Sequence, residues 1–166
     1  MNNAVVIFSH GKDSEPWGSK ITAMAEVARS MGYQAESVDY RGMDDPLARV
    51  QRLLEFAHTT PAPILVGSSL GGHVATAASV KLQARGLFLL APAFYMPGYE
   101  QYTPPPADCP LSIVHGWRDE IVPVENSIRY AGEYHGTLQV IDSDHRMLQN
   151  LPQILGYFAL FLRGLK

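Results

Sequence analysis

The sequence is short of several things, and each shortage closes off a class of protein. It has one cysteine, Cys109, among 166 residues, which excludes an internal disulfide and a cysteine-rich metal motif. It has no basic surplus. The formal charge is −3, so neither nucleic acid nor an anionic membrane surface is an expected partner. No apolar stretch approaches the roughly 18 residues of a membrane helix. Met1-Asn2-Asn3-Ala4-Val5-Val6-Ile7-Phe8 lacks both the basic start and the long apolar run of a signal peptide. It runs straight into a strand-like segment, which reads as a mature domain in the cytoplasm. No G-x-G-x-x-G opens a helix, and no His, Asp or Glu spacing resembles a metal site, so no cofactor and no metal are expected.

What is present suits one ordinary domain spanning residues 1–166. Apolar residues make up 46% of the chain and charged residues 17%, enough to bury a substantial core and too little charge for disorder. Short β-rich runs alternate with helical spacing. Strands are expected at residues 4–8, 35–40, 64–66, 87–91, 111–115 and 138–141. Between them, Ile21, Met24, Ala25, Ala28 and Met31 mark one helix, with Gly32 as its stop. Asp45-Pro46 opens another, with Leu47, Val50, Leu54 and Ala57 as its apolar stripe. Residues 70–82 form an alanine-rich helix. Val124, Ile128 and Ala131 mark a fourth, and Leu148, Leu151, Leu155, Phe158, Ala159 and Leu162 the last. Strand-then-helix repetition predicts an α/β protein: a three-layer α/β/α sandwich around a six-stranded, mostly parallel sheet. Such sheets carry their chemistry just beyond the strands' carboxyl ends.

After the third expected strand comes Gly67-Ser68-Ser69-Leu70-Gly71, followed by Gly72. This is a G-x-S-x-G nucleophile elbow between a strand and a helix, the setting the motif requires. The turn is sharp, and side chains two residues to either side of the serine would collide. The spacing selects Ser69, with Ser68 at the x position. A serine hydroxyl needs an adjacent base, oriented by a third group. After the fifth strand comes His115-Gly116-Trp117-Arg118-Asp119-Glu120-Ile121-Val122-Pro123, and after the sixth Asp142-Ser143-Asp144-His145. The order is serine, acid, histidine.

Together with Phe8-Ser9-His10-Gly11 near the start, these motifs make the chain resemble the α/β-hydrolase superfamily, in particular its small, nearly cap-free members. The resemblance spans almost the whole chain. It departs from larger members in lacking the two strands that usually precede the His-Gly loop. It implies Ser69, Asp119 and His145 as a catalytic triad. It also implies an oxyanion hole from the backbone N–H groups of Leu70 and Lys12, with Gly11 in place of Lys12 if the loop is rotated by one peptide.

Rival residues have plainer uses. His10 and His115 each precede a glycine at a strand end, where a turn-stabilising hydrogen bond is the commoner use. His73, one helical turn beyond Ser69, is expected to turn its ring away from the open side. His58 and His135 are set aside because His145 alone follows the last strand, as the fold demands. Glu120 is the second choice for the acid, while Asp142 and Asp144 are close enough to His145 in sequence to reach its far nitrogen poorly. Cys109 is expected to be an inert, packed thiol. Residues 92–110 form a proline-rich, lid-like excursion that can wall one side of a pocket. Its Phe94, Tyr95, Met96, Tyr99 and Tyr102, with Trp17, Trp117 and Met147, are candidate lining groups. The expected function is hydrolysis of small acyl esters, the partner being a small-molecule acyl substrate. Thioester or amide cleavage and a non-catalytic binding module are the alternatives. A homo-oligomer is not indicated.

Overall fold

Val5 and Ile7 face one side of the first strand and Val6 and Phe8 the other, and all four are buried. A strand apolar on both faces must lie inside a sheet covered twice. The computed structural model describes residues 4–166. Met1–Asn3, the start of the segment read above as leading into the first strand, lie outside the described residues. The elements are β1 (Val5–Ser9), α1 (Ser19–Ser30), β2 (Gln34–Val38), α2 (Pro46–Phe56), β3 (Ile64–Ser68), α3 (Leu70–Ser79), β4 (Gly86–Leu90), β5 (Leu111–Gly116), α4 (Val124–Tyr134), β6 (Thr137–Ile141) and α5 (Leu151–Gly164). The six strands pair in the order β2-β1-β3-β4-β5-β6, every pair parallel.

Helices cover both faces. Val6, Phe8, Ile64, Val66 and Phe88 meet α1 and α5 through Met24, Ala28, Phe158 and Leu162. Ile7, Leu65, Leu87, Leu89 and Ile113 meet α2, α3 and α4 through Leu53, Val74, Ala78 and Tyr130. The order of connection reverses between β1 and β3. At that switch point the two neighbouring loops leave the sheet in opposite directions and open a crevice.

Two helices sit differently from their expected stripes. In α2, Asp45 caps the first turn as expected, accepting the Ala48 N–H at 3.2 Å. The buried face, however, is Arg49 and Leu53, and Leu47 is 78% exposed. Three backbone carbonyls receive the Arg49 guanidinium, so the helix turns that residue inward. In the last helix, Leu148 belongs to a separate 3-10 turn, Leu148–Asn150, and is exposed. Ile154, Phe158 and Leu162 form the buried face of α5. Among the described residues, no helix is long and apolar enough to cross a membrane.

Candidate active site

Ser69 stands where β3 ends and α3 begins, with φ 54° and ψ −121°. This strained conformation is held from both sides: the Ser69 N–H donates to Leu90 O at 2.9 Å, and its carbonyl accepts from Ala93 N at 3.0 Å. The flanking glycines are required by space. A Cβ on Gly67 would lie 2.5 Å from Gly71 O, and one on Gly71 would collide with Ser9 O. Both are backbone atoms and cannot yield. The turn therefore projects the hydroxyl at the switch point.

His145 and Asp119 reach Ser69 from the loops after β6 and β5. Gly116 allows those loops to meet, since a Cβ there would strike the Ser143 carbonyl, and Arg118 N donates to Ser143 O at 3.0 Å. The Ser69 hydroxyl lies 3.0 Å from His145 Nε2. His145 Nδ1–H donates to Asp119 Oδ2 at 2.7 Å. The Asp119 side chain is fully buried, and that of His145 is 19% exposed.

Asp119 spends every acceptor. Oδ1 takes the N–H groups of Ile121 at 2.9 Å and Val122 at 2.8 Å. Oδ2 takes His145 and also His115 Nε2–H at 3.0 Å. Burial by itself would raise the carboxyl's pKa. The hydrogen bonds from His115, His145 and the two amides outweigh it and hold the group well below the usual carboxylate range. His115 therefore does more than steady its own turn. Its Nε2–H serves both Val122 O and the acid, while Nδ1 accepts from Ser127 Oγ at 2.7 Å.

The loop after β1 supplies the other side. Gly11 lies against the elbow, where a Cβ would be 3.6 Å from Ser69 Cβ. Three successive carbonyls of this loop point at buried donors. Arg49 Nη1 donates to His10 O at 3.0 Å and Nη2 to Lys12 O at 3.2 Å. His10 Nδ1–H donates to Gly11 O at 2.8 Å, and its Nε2 accepts from Tyr40 N. In a trans peptide the N–H points opposite to the carbonyl. The Lys12 N–H is thus turned away from the His10 ring, and the Gly11 N–H away from Arg49. Among the described residues no backbone acceptor takes the N–H of Lys12 or of Leu70. A third hydrogen bond, from Arg49 Nε to Met43 O at 2.8 Å, ties α2 to the same clamp. Burial lowers the Arg49 pKa, and Tyr40, Asp44 and Asp13 oppose that. Arg49 was invisible to the apolar stripe, although Arg49, Leu53 and Ala57 recur at helical spacing.

These groups border a cleft of about 1220 Å³. Ala93, Met96, Pro97 and Tyr99 of the excursion join Ile121 and Leu148 on an apolar wall. Of the other lining candidates, Phe94 and Met147 are core residues, and Trp17, Trp117 and Tyr102 lie on the exposed surface away from the cleft. Tyr95 stands over Arg129, outside it. The charged residues Lys12, Asp13, Glu15, Lys20 and Arg41 line the cleft as well. His73 departs from expectation, since it lines the cleft and bonds the Ala93 backbone, with its pKa lowered by burial. Helical side chains lean back toward the N-terminus, which carries this ring toward Ser69.

The remaining rivals have other duties. Asp142 pairs with Arg118 on the surface, and Asp144 accepts the Met147 N–H at 2.9 Å. Glu120 is exposed and outside the cleft. Burial, aided by Asp108, pushes the Cys109 thiol up to about 11, which suppresses thiolate chemistry. Among the described residues no group of three or more His, Cys, Asp or Glu side chains is placed to hold a metal ion.

The alpha/beta hydrolase family model matches residues 6–164. The rat (Rattus norvegicus) mitochondrial palmitoyl-protein thioesterase ABHD10 is 27% identical over a stretch covering 87% of this chain and 70% of its own. A solved structure from Xanthomonas campestris pv. campestris, assigned to the alpha/beta hydrolase superfamily, superposes with a TM-score of 0.90 at 33% identity, covering 99% of each chain. Mouse ABHD10 superposes with a TM-score of 0.81 over 98% of this chain and 90% of its own. Its 21% identity makes that a likeness of fold alone. An elbow at the switch point of a parallel sheet and a family match over nearly the whole length carry one conclusion: this chain belongs to the alpha/beta hydrolase family.

Proposed function

We propose that this protein is a serine hydrolase that cleaves small acyl esters through an acyl-enzyme, with Ser69 as nucleophile, His145 as general base and acid, and Asp119 as its orienting partner. The observation that carries the reading is the unbroken chain of contacts, Ser69 Oγ to His145 Nε2 at 3.0 Å and His145 Nδ1 to Asp119 Oδ2 at 2.7 Å. Ser69 Oγ attacks the acyl carbonyl as its proton passes to Nε2. The resulting oxyanion is met by the N–H groups of Leu70 and Lys12, each worth about 3 kcal/mol in a site that excludes water. Collapse breaks the bond to the leaving group, which takes the proton from Nε2. Water then attacks the acyl-serine as one of its protons passes to His145 Nε2; the acyl–Oγ bond breaks, Ser69 Oγ takes that proton back, and the acid leaves. Asp119 stays ionised throughout and stabilises the imidazolium.

The same machinery attacks thioesters. The rat relative's name gives that second reading specific support, since it is called a thioesterase. That relative is also named mitochondrial, so the expectation of a cytoplasmic protein draws nothing from it. A panel of acetyl to decanoyl p-nitrophenyl esters and matching acyl thioesters tests the reading. Turnover of short esters with a burst of p-nitrophenol equal to the enzyme present is the expected result. Turnover confined to thioesters selects the second reading, and a folded protein that turns over neither is a binding module.

A further inference from the structure

We propose that Lys20 and Arg146 form an anion subsite in the catalytic cleft, which selects substrates whose leaving alcohol or thiol carries a carboxylate or phosphate. This deepens the hydrolase reading and rests on it.

The two residues are joined and both line the cleft: Lys20 Nζ donates to the Arg146 carbonyl at 2.9 Å. Of the other cations that line the cleft, Arg41 is paired with Asp39 at 2.8 Å and also feels Glu15. The lining carboxylates Asp13 and Asp44 act on Arg49. Lys20 and Arg146 have no ion pair among the described residues, and they repel each other. Burial, then the Arg146 charge, pushes Lys20 down to about 8, with Asp144 opposing weakly. Asp144 already accepts the Met147 N–H. An anion bound between the two cations would relieve that repulsion.

Position assigns the anion to the leaving group. The atom expelled from the tetrahedral intermediate must sit at His145 Nε2 to receive its proton. Arg146 follows His145 in the chain, Lys20 is bonded to the Arg146 carbonyl, and both line the cleft, so the charge on the expelled group falls to them. The apolar lining residues Met96, Tyr99 and Ile121 are left for the acyl chain. A volume of about 1220 Å³ has room for both parts.

The test compares the acetyl esters of 4-hydroxybenzoate and 4-hydroxybenzamide, each corrected for its own rate in buffer. Both leaving groups have the same shape, and only one is charged. The expected kcat/KM ratio favours the anionic ester by about tenfold at low salt, falling toward one in about 0.5 M NaCl. The double variant Lys20→Gln, Arg146→Gln should bring the ratio to about one at low salt. A ratio of one or less in the unaltered protein, with the neutral ester still cleaved, overturns the subsite and leaves the Ser69 reading standing. A ratio that ignores both salt and the double variant overturns it as well. Failure to cleave either ester, together with failure to react with a fluorophosphonate, overturns the hydrolase reading and the subsite with it.

Discussion

Ser69→Ala should lower kcat on p-nitrophenyl acetate by about 10⁶-fold, as expected when a nucleophile that acts as one unit with its base is removed. The protein should fold as before. The Ser69 side chain makes one hydrogen bond, to His145, and alanine meets the positive φ of 54° with the same Cβ that serine has. The melting temperature is therefore expected to stay within about 3 °C. Ser68→Ala is the matched control. Ser68 ends β3 and also borders the cleft, so a loss that followed Ser68 would reassign the nucleophile. Equal activity in Ser69→Ala and the unaltered protein would end the account.

Asp119→Asn should cost about 10⁴-fold in kcat, and the donors around the carboxylate say why. Two backbone N–H groups fix Oδ1, and two imidazole N–H groups meet Oδ2. An asparagine oxygen must stay with the amides of Ile121 and Val122, because those cannot reverse. Its NH2 then faces His115 and His145, and each ring has to present an acceptor there instead. For His145 this moves the proton to Nε2, which then points N–H at Ser69 and cannot take the serine proton. The stability loss should be about 1–3 kcal/mol, the cost of rearranging buried polar partners. A pH profile separates the two effects, since the variant's kcat should rise with hydroxide where the unaltered enzyme is flat. A tenfold loss or less would mean that Asp119 does not set the tautomer.

The inner strand runs were legible because they are apolar on both faces, as Val5 to Phe8 shows, and a buried parallel strand has few other patterns. The edge strands β2 and β6, by contrast, carry polar residues and are largely half-buried or exposed. The elbow was legible because its pattern lies within five residues: the Gly71 carbonyl demands Gly67 from inside the motif, while the demand on Gly71 comes from Ser9 O of the neighbouring strand. What stayed hidden depends on contacts across the sheet. Arg49 lies in a stretch where apolar spacing points elsewhere, and its inward turn is decided by the carbonyls of His10, Lys12 and Met43. No local rule announces acceptors so distant in sequence. His115 had the same difficulty. A histidine before glycine reads as a turn, and its bond to Asp119 needs the loop of Ile121 and Val122 to fold back. Leu148 falls on the α5 spacing, yet left-handed Met147 (φ 54°) breaks the backbone just before it and leaves Leu148 at the cleft.

The central claim is a hydroxyl made reactive by its neighbours, and a serine-directed fluorophosphonate reads it directly. Mass spectrometry of the treated, folded protein should show one phosphonyl group per chain, mapped to Ser69 and absent from Ser69→Ala. A folded protein that stays unmodified, or carries the adduct on Ser68 or elsewhere, would contradict it.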